Sequence, residues 1–417
     1  SAELAPDRPV CGAVVMGTAL VVFRDNKGAV RVMDRHCPHR GADLSYARWE
    51  NGALRCPFHG WLFGANGQCL EQPAEPEDSR YHERIRVTNY PAVERNGMVL
   101  AYLGGGDAPA LPVIDCLSAP NSHSFSFKGF MQCNWLQALE VGIDPAHASF
   151  LHRFLRDEDP DDAYGKQFRD NSVGTNVPMT RLLREHHRPK IDVQETSFGM
   201  RIIARRDLGN AGTHVRVTNQ LFPQAIVIPM SETMNITQWH VPIDDEHSYW
   251  YAMFTSFDAP VDHARMREQR LELYTLPDYK PRKNKSNQYG FSAEEQRTET
   301  YTGMGPDINV HDQWAVESPG AIVDRTREHL GHSDVAIRAF RRQLITAIEA
   351  VGHGAGRVTD SSGDTAESPA SGPPAIDTVV DSQDWSSAWQ ARETERRVQC
   401  SWLYETKHTN GGVGLIN

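Results

Sequence analysis

The sequence predicts an α+β protein of two domains and a tail, and three observations carry that reading. Residues 11 to about 110 run as short β-prone stretches broken by turn signals. The middle, roughly 121 to 352, alternates β-branched and aromatic runs with two segments of helical period. Turn-rich stretches separate the blocks. One is the GGGD run at 104–107 with Pro109, Pro112 and Pro120, and the other runs from 353 to 382, rich in Gly, Ser, Thr, Pro and Asp. The expected division is 1–118 for an all-β domain, 119–352 for an α+β domain, and 353–417 for a strap and tail. A length of 417 residues suits it, since a domain takes roughly 100–200 residues.

The first block opens with "CGAVVMGTALVVF" (11–23), an uncharged apolar run containing two glycines. A bilayer span needs roughly 20 apolar residues, so this run predicts a strand pair joined by a turn. "ALVVFRD", "NKG" and "AVRVMD" then read as strand, turn and strand. Asn66-Gly67, within "GWLFGANGQCL", is a strong hairpin signal. In the middle block "RIIARRDL", "HVRVTNQLF", "AIVIPM" and "SYWYAMFTSF" are strand-like. "PVDHARMREQRLELY" and "SDVAIRAFRRQLITAIEAVG" are helical. In the second, Ile337, Phe340, Leu344, Ile348 and Val351 share one apolar face, Ser333 is placed to cap the start, and Gly352 suits the end. This order predicts a long antiparallel sheet wrapped on one side by helices. In the tail, "DWSSAWQARETERRV" adds a short amphipathic helix.

With 39% hydrophobic and 23% charged residues the chain can bury ordinary cores, as a soluble globular protein does. A net charge of −11 and a pI near 5.9 disfavour nucleic acid and anionic membrane, which both reward a basic face. The seven cysteines, at positions 11, 37, 56, 69, 116, 133 and 400, are odd in number and widely spread. That pattern argues against a secreted disulfide scaffold and for a reducing cytoplasm, and no signal peptide is visible.

Two Cys/His pairs stand out. Cys37 and His39 are followed, after residues 40–55, by Cys56 and His59, and each pair carries a proline, Pro38 or Pro57. Zinc would accept two Cys and two His in a tetrahedron. A Rieske [2Fe–2S] centre takes the same four, with the thiolates on one iron and the imidazoles on the other. Zinc fingers usually bring the cysteines as one pair and the histidines as another. Here each loop brings one of each, which suits two loops clamping a flat cluster.

The stretch resembles the Rieske motif, C-x-H then C-x2-H, with Gly41, Gly60 and Trp61 in the expected places. Respiratory Rieske proteins add a cysteine to each loop for a disulfide. Ala42 and Phe58 occupy those positions here, so the resemblance implies the lower-potential type found in oxygenases and their ferredoxins. His36 reads as a solvated neighbour.

A second candidate site lies in "CNWLQALEVGIDPAHASFLH" (133–152). Asp144-Pro145 is a good helix start, and His147 and His152 follow. On one ideal helix the i, i+5 spacing would put the imidazoles about 140° apart, so shared coordination needs long reach or a local irregularity. Two His and a carboxylate make the facial triad of non-haem Fe(II) oxygenases. The pattern N-W-x-Q-x-x-E…D-x-x-H-x4-H, beginning at Asn134, Trp135, Gln137 and Glu140, resembles the catalytic motif of Rieske non-haem iron ring-hydroxylating oxygenases. Val141 stands where relatives often have glycine. "HDQWAVESPGAIVDRTREHLGHSD" (311–334) resembles the phthalate-dioxygenase branch, whose oxygenases consist of α subunits alone. Spacing alone leaves Asp307, Asp312, Glu317 and Asp324 open as third ligand. The resemblance implies Asp312, with His311 a supporting neighbour.

The resemblance further implies an α+β helix-grip catalytic domain, Fe(II) as second cofactor, and O2 as co-substrate for cis-dihydroxylation or monooxygenation. It implies a head-to-tail homotrimer, or stacked trimers, in which Asp144 bridges a neighbour's Rieske His to this chain's iron ligand. Asp144 could also simply cap its helix. No nucleotide-phosphate loop is present, so NAD(P)H must act through a separate flavin/iron–sulfur reductase. Arg181, Arg184, Arg188, Arg205, Arg206 and Arg216 fall where the pocket walls should be. Arg216 alternates with Val215 and Val217, and it and Arg181 are the candidates for an aromatic carboxylate substrate. Two readings of another class stay open: a Rieske electron carrier fused to an iron-free binding module, and a zinc-stabilised binding protein.

Overall fold

A computed structural model describes residues 3–157, 178–231, 233–353, 372–381 and 383–403. Most of the expected strap, residues 354–371, lies outside them. The chain divides into two compact units, residues 1–111 with 242–244, and residues 112–241 with 245–417. The first boundary therefore falls before 118. The physical reason is Asp115, a buried carboxylate whose two oxygens accept from Arg397 at 3.0 and 2.8 Å and which ties its segment to the second unit.

The first unit carries a sheet of Val10–Val15, Thr18–Arg24, Val30–Asp34 and Asn89–Tyr90. Val15 pairs with Thr18 across a two-residue turn, as the apolar run predicted. In the "NKG" turn the Asp25 carboxylate accepts from the backbone of Lys27 and Ala29 at 2.8 and 3.0 Å. A second sheet takes Arg48–Glu50, Ala53–Arg55, Leu62–Phe63 and Cys69–Glu71. At its Asn-Gly turn Gly67 has φ +80°, and an added Cβ would meet the Val87 carbonyl oxygen at 2.2 Å, so only glycine fits. Val21, Phe23, Met33, Leu44, Leu54 and Phe63 form the core, with Cys37, Cys56 and Trp61 at its edge.

The second unit is built on an eight-stranded sheet. Its order is Ser124–Met131, Ser248–Ser256, Met234–Pro242, Ala225–Pro229, Thr213–Leu221, Gly199–Asp207 and Lys190–Thr196. The eighth strand, Ile376–Val380, comes from the tail and pairs antiparallel with Thr213–Val217. It has room because Ala225–Pro229 uses only Asn219–Leu221 of the same edge. The tail expected as a separate strap thus belongs to this sheet.

The two faces of the sheet separate with period 2. Met200, Ile202 and Ile226 pack on Leu139 and Ile143 of the helix Trp135–Ile143, and on Ala336, Ile337 and Phe340 of the helix Val335–Gly352. Ile203, Val215, Val217, Ile376 and Val380 meet Trp389 of the tail helix Trp385–Gln399. Helices therefore lie on both faces, not on one.

The apolar stripe of the helix Val335–Gly352 is covered only in its first half. Phe340 is fully buried, whereas Ile348 is 63% exposed and Val351 58%. Its ends also differ from expectation. Ser333 sits in a preceding 3-10 turn, where the Asp334 carboxylate accepts from Gly331 N–H at 2.6 Å, and Gly352 is the last helical residue, followed by His353. We expect Phe340→Ala to cost the second unit about 3–5 kcal/mol in urea unfolding. Ile348→Ala should stay within about 0.5 kcal/mol. Equal losses would mean that the second half of the stripe is covered too.

Candidate functional site

Two loops in the first unit share one backbone pattern. Cys37 N–H donates to Ala42 O at 2.8 Å and Gly41 N–H to Cys37 O at 2.8 Å. Cys56 N–H donates to Trp61 O at 2.9 Å and Gly60 N–H to Cys56 O at 3.0 Å. Gly41 and Gly60, with φ +76° and +74°, supply the left-handed turn that lets each loop close on its cysteine. Both thiols are 2% exposed. His39 and His59 have ring centroids 4.4 Å apart, and His39 stacks on Trp61 at 4.3 Å. Burial pushes the Cys37 thiol up to about 11, so a metal is needed to hold the thiolate at neutral pH. Behind the first loop, Arg35 grips Asp43 through two nitrogens and holds its carboxyl down to about 2. Two paired buried thiols beside two imidazoles fit the segregated ligand set of a [2Fe–2S] cluster. No disulfide forms among the seven cysteines, and His36 is exposed, its ring against Gly41 O.

In the second unit the "IDPAH" segment does not start a helix. Asp144 ends the helix Trp135–Ile143, and residues His147–Ser149 make a 3-10 turn. The Asp144 carboxylate accepts from Ala146 N–H at 2.7 Å and His147 N–H at 3.2 Å, and its carbonyl faces Nδ1 of His147. Nδ1–H donates to that carbonyl, so Nε2 presents a lone pair. The break also removes the i, i+5 difficulty. His147 Nε2 and His152 Nε2 lie 3.2 Å apart, and Asp312 Oδ1 lies 3.8 and 3.2 Å from them.

Adjacent ligands of an octahedral ion at ordinary bond lengths sit about 3 Å apart, so these three atoms could hold one face of an Fe(II) ion. Burial opposes charge on Asp312, but the imidazoles of His152 and His147 outweigh it and its carboxyl falls below the usual range. Among the described residues this is the one His/Cys/Asp/Glu group of three whose ligand atoms converge in this way.

The other carboxylates open on sequence are engaged elsewhere. Asp307 caps the helix Ile308–Glu317. Asp324 caps the turn Arg325–Arg327. Glu317 accepts from Gln132 N–H at 2.8 Å and from the Tyr289 hydroxyl at 2.9 Å. His311 donates through Nε2 to Gly305 O at 2.8 Å and stacks beside His152, so it supports the site rather than joining it.

One cavity is lined by His147, His152, Asp312 and Asp144 together with Arg206, Arg216, Thr218 and Gln238. Ile202, Ile228, Ile236 and Phe254 supply apolar wall. Arg216 points inward, as its alternation with Val215 and Val217 allowed, and donates to Asp377 at 2.5 Å. Arg181 does not line the cavity. It is half-exposed and paired with Asp157 at 2.9 Å, because its helix Met179–Glu185 turns it toward that carboxylate. Arg184 pairs with Asp157 and Arg205 with Asp192, while Arg188 is exposed.

Of the four arginines that the sequence does not rank, Arg206 is the one that lines the cavity. It is 1% exposed, its Nη2 donates to Pro145 O at 3.1 Å, and its Nε and Nη1 have no hydrogen-bond partner. Burial, then Arg216, pulls its pKa down to about 10. The period of "RIIARRDL" could have found it, since Ile202, Ala204 and Arg206 share a face.

Known proteins agree with this construction. The Rieske [2Fe-2S] domain family matches residues 1–91, and the family described as LigXa C-terminal domain like matches residues 109–407. The phthalate 4,5-dioxygenase oxygenase subunit of Pseudomonas putida is 34% identical over 361 residues, 83% of this chain and 78% of the relative. The 3-chlorobenzoate-3,4-dioxygenase oxygenase subunit of Comamonas testosteroni is 30% identical over 371 residues, 84% and 82%. The solved structure of NdmA from Pseudomonas putida CBB5 with caffeine has the same fold, with TM-score 0.57 and 16% identity over 86% of this chain and 92% of that one. The chain belongs to the Rieske non-haem iron oxygenases, as an oxygenase component. Its cofactors are the [2Fe–2S] cluster and a mononuclear iron, with O2 as co-substrate. Among the described residues no helix is long and apolar enough to cross a membrane.

If Asp312 is the third ligand, Asp312→Ala should lower bound iron from three to two per chain and leave the Rieske absorption unchanged. Separate hydrophobic cores are the reason to expect the cluster to survive. Full retention of the third iron would move the ligand elsewhere.

Proposed function

We propose that this chain hydroxylates an aromatic carboxylate, by cis-dihydroxylation or monooxygenation, with electrons from a separate NAD(P)H-dependent flavin/iron–sulfur reductase. The observation that carries the reading is Arg206, a buried guanidinium with two unpartnered nitrogens, which lines the same cavity as His147, His152 and Asp312. A buried charge is costly unless paired, and a carboxylate matches the guanidinium fork in shape and charge. Arg216 lies in the same cavity and is the second anchor. The isoleucines and Phe254 offer an apolar slot for a ring and exclude water from it. Two relatives named above carry phthalate and chlorobenzoate in their names, both benzenecarboxylates, which favours the same chemistry here.

When bound, the mononuclear iron supplies O2 activation and the cluster supplies electrons. His147, His152 and Asp312 hold the iron, and Cys37, His39, Cys56 and His59 hold the cluster. The Asp144 carbonyl fixes the tautomer of His147, and Arg206 orients the ring by its acid group.

Arg206→Gln removes the charge and keeps a polar side chain. A charge-assisted hydrogen bond is worth about 1.5–3 kcal/mol, so benzoate and phthalate should each bind about 10–100-fold more weakly to the iron-replete variant. Unchanged affinity for both acids would remove the carboxylate reading.

We also infer that the working assembly is a homotrimer or stacked trimers, with Asp144 linking a neighbour's Rieske His to His147. Asp144 adjoins His147, its carbonyl facing Nδ1 and its Oδ2 3.7 Å from the same atom, so it stands beside the candidate iron ligand. Asp144→Asn keeps an acceptor for the backbone turn and removes the charge. We expect a folded, iron-replete protein whose single-turnover reoxidation is slowed about 10–100-fold. A normal rate would leave Asp144 as a cap.

A further inference from the structure

We infer that Thr180 is a specificity-determining residue, whose hydroxyl binds an uncharged oxygen substituent, a hydroxyl or alkoxy group, on the ring of the aromatic acid. This rests on the carboxylate reading above and deepens it, since Arg206 takes the acid group and Thr180 a second group. Thr180 lines the cavity and is 6% exposed, and its Oγ1 is buried without a hydrogen-bond partner. Among the described lining residues, apart from the iron triad and Arg206, it is the only side chain with a buried polar atom left in that state.

Helix geometry turns this hydroxyl toward the cavity. At about 100° per residue, Met179, Thr180 and Leu183 fall within about 100° of arc on the helix Met179–Glu185, and all three line the cavity. Arg181 and Arg184 lie further round and pair with Asp157. A helical threonine ordinarily returns its hydroxyl to a backbone carbonyl of the preceding turn, a bond that Thr180 does not make. A buried hydroxyl left without a partner is costly, and a ligand oxygen beside it removes that cost. Its neighbours on the same face, Met179 and Leu183, are apolar, so little water competes for the bond. The hydroxyl can donate to an oxygen or accept from a phenol, but it offers nothing to a methyl group of similar size.

The test compares the affinities of iron-replete protein for meta- and para-hydroxybenzoate with those for meta- and para-methylbenzoate, with benzoate and benzamide alongside. Native protein should bind the hydroxy acid more tightly than its methyl counterpart at one ring position at least. Thr180→Val keeps the size of the side chain and removes the hydroxyl, so it should lower that hydroxy-to-methyl affinity ratio about tenfold. Thr180→Ser keeps the hydroxyl and should keep the ratio. A merely structural role would weaken both members of each pair together and leave the ratio where it was, which overturns the proposal. A native preference for the methyl acid at both positions overturns it as well. Should Thr180→Val fail to fold, Thr180→Ala decides by the same ratio. If native protein bound benzamide as tightly as benzoate, the carboxylate reading would fall, and this proposal with it. Selectivity for acids over the amide, with hydroxy-to-methyl ratios insensitive to loss of the hydroxyl, would overturn this proposal alone.

Discussion

The second unit depends on one strand serving two neighbours along a single edge. Thr213–Leu221 pairs with Ala225–Pro229 over its last residues and with the tail strand over its first. Because side chains alternate, the same stretch sends Val215 and Val217 beneath Trp389 and Arg216 into the cavity. The tail strand obeys the same rule, placing Ile376 and Val380 in the apolar cluster and Asp377 against Arg216. The buried guanidinium of Arg206 and the part-exposed one of Arg216, on adjacent strands, repel one another, and removing one partner from a buried pair costs about 3–5 kcal/mol. The anchor therefore exists in this form only because the tail returns to the sheet.

The metal side of the cavity depends on where a helix stops. Asp144 and Pro145 end Trp135–Ile143, and the 3-10 turn that follows brings His147 back toward His152. A continued helix would have kept the two rings apart. Asp312 arrives from another helix, one started by the Asp307 cap, so three separate segments meet at one point. Two imidazole lone pairs and a carboxylate oxygen within 3.2–3.8 Å of one another repel unless a proton or cation lies between them. The arrangement thus suits a cation by its own electrostatics.

How much of this could be read from the sequence follows from how local each interaction is. The cluster loops were legible because the backbone bonds that close them on their cysteines span five residues or fewer, from Cys37 to Ala42 and from Cys56 to Trp61. The first hairpin and four of the large sheet's eight strands followed from period and turn chemistry. The helix expected at Asp144 did not form, since its carboxylate holds the amides of Ala146 and His147 in a turn as readily as at a helix start, and tertiary packing decides which. The ranking of arginines was not legible. Arg216 finds its partner 161 residues away, while Arg181 and Arg184 meet at Asp157 rather than in the cavity. Composition made the tail look like a linker, yet "AIDTVV" within it carries the β-branched residues of a strand.

Both metal sites combine groups that are costly to hold together without their ions. In the first unit a thiol with its pKa raised by burial must ionise, and in the second a buried carboxylate faces two imidazoles. The scaffold answers each differently. The loops rely on backbone hydrogen bonds and two left-handed glycines. The triad relies on side chains anchored at their other ends, His147 by a carbonyl and Asp312 by the helix Ile308–Glu317. Nδ1 of His152 is buried without a hydrogen-bond partner, so among the three candidate ligands His152 is held by packing at that end. A ring free to rotate loses its ligating orientation first. His152 is accordingly where the iron site is softest, and its stacking on His311 is what limits that rotation.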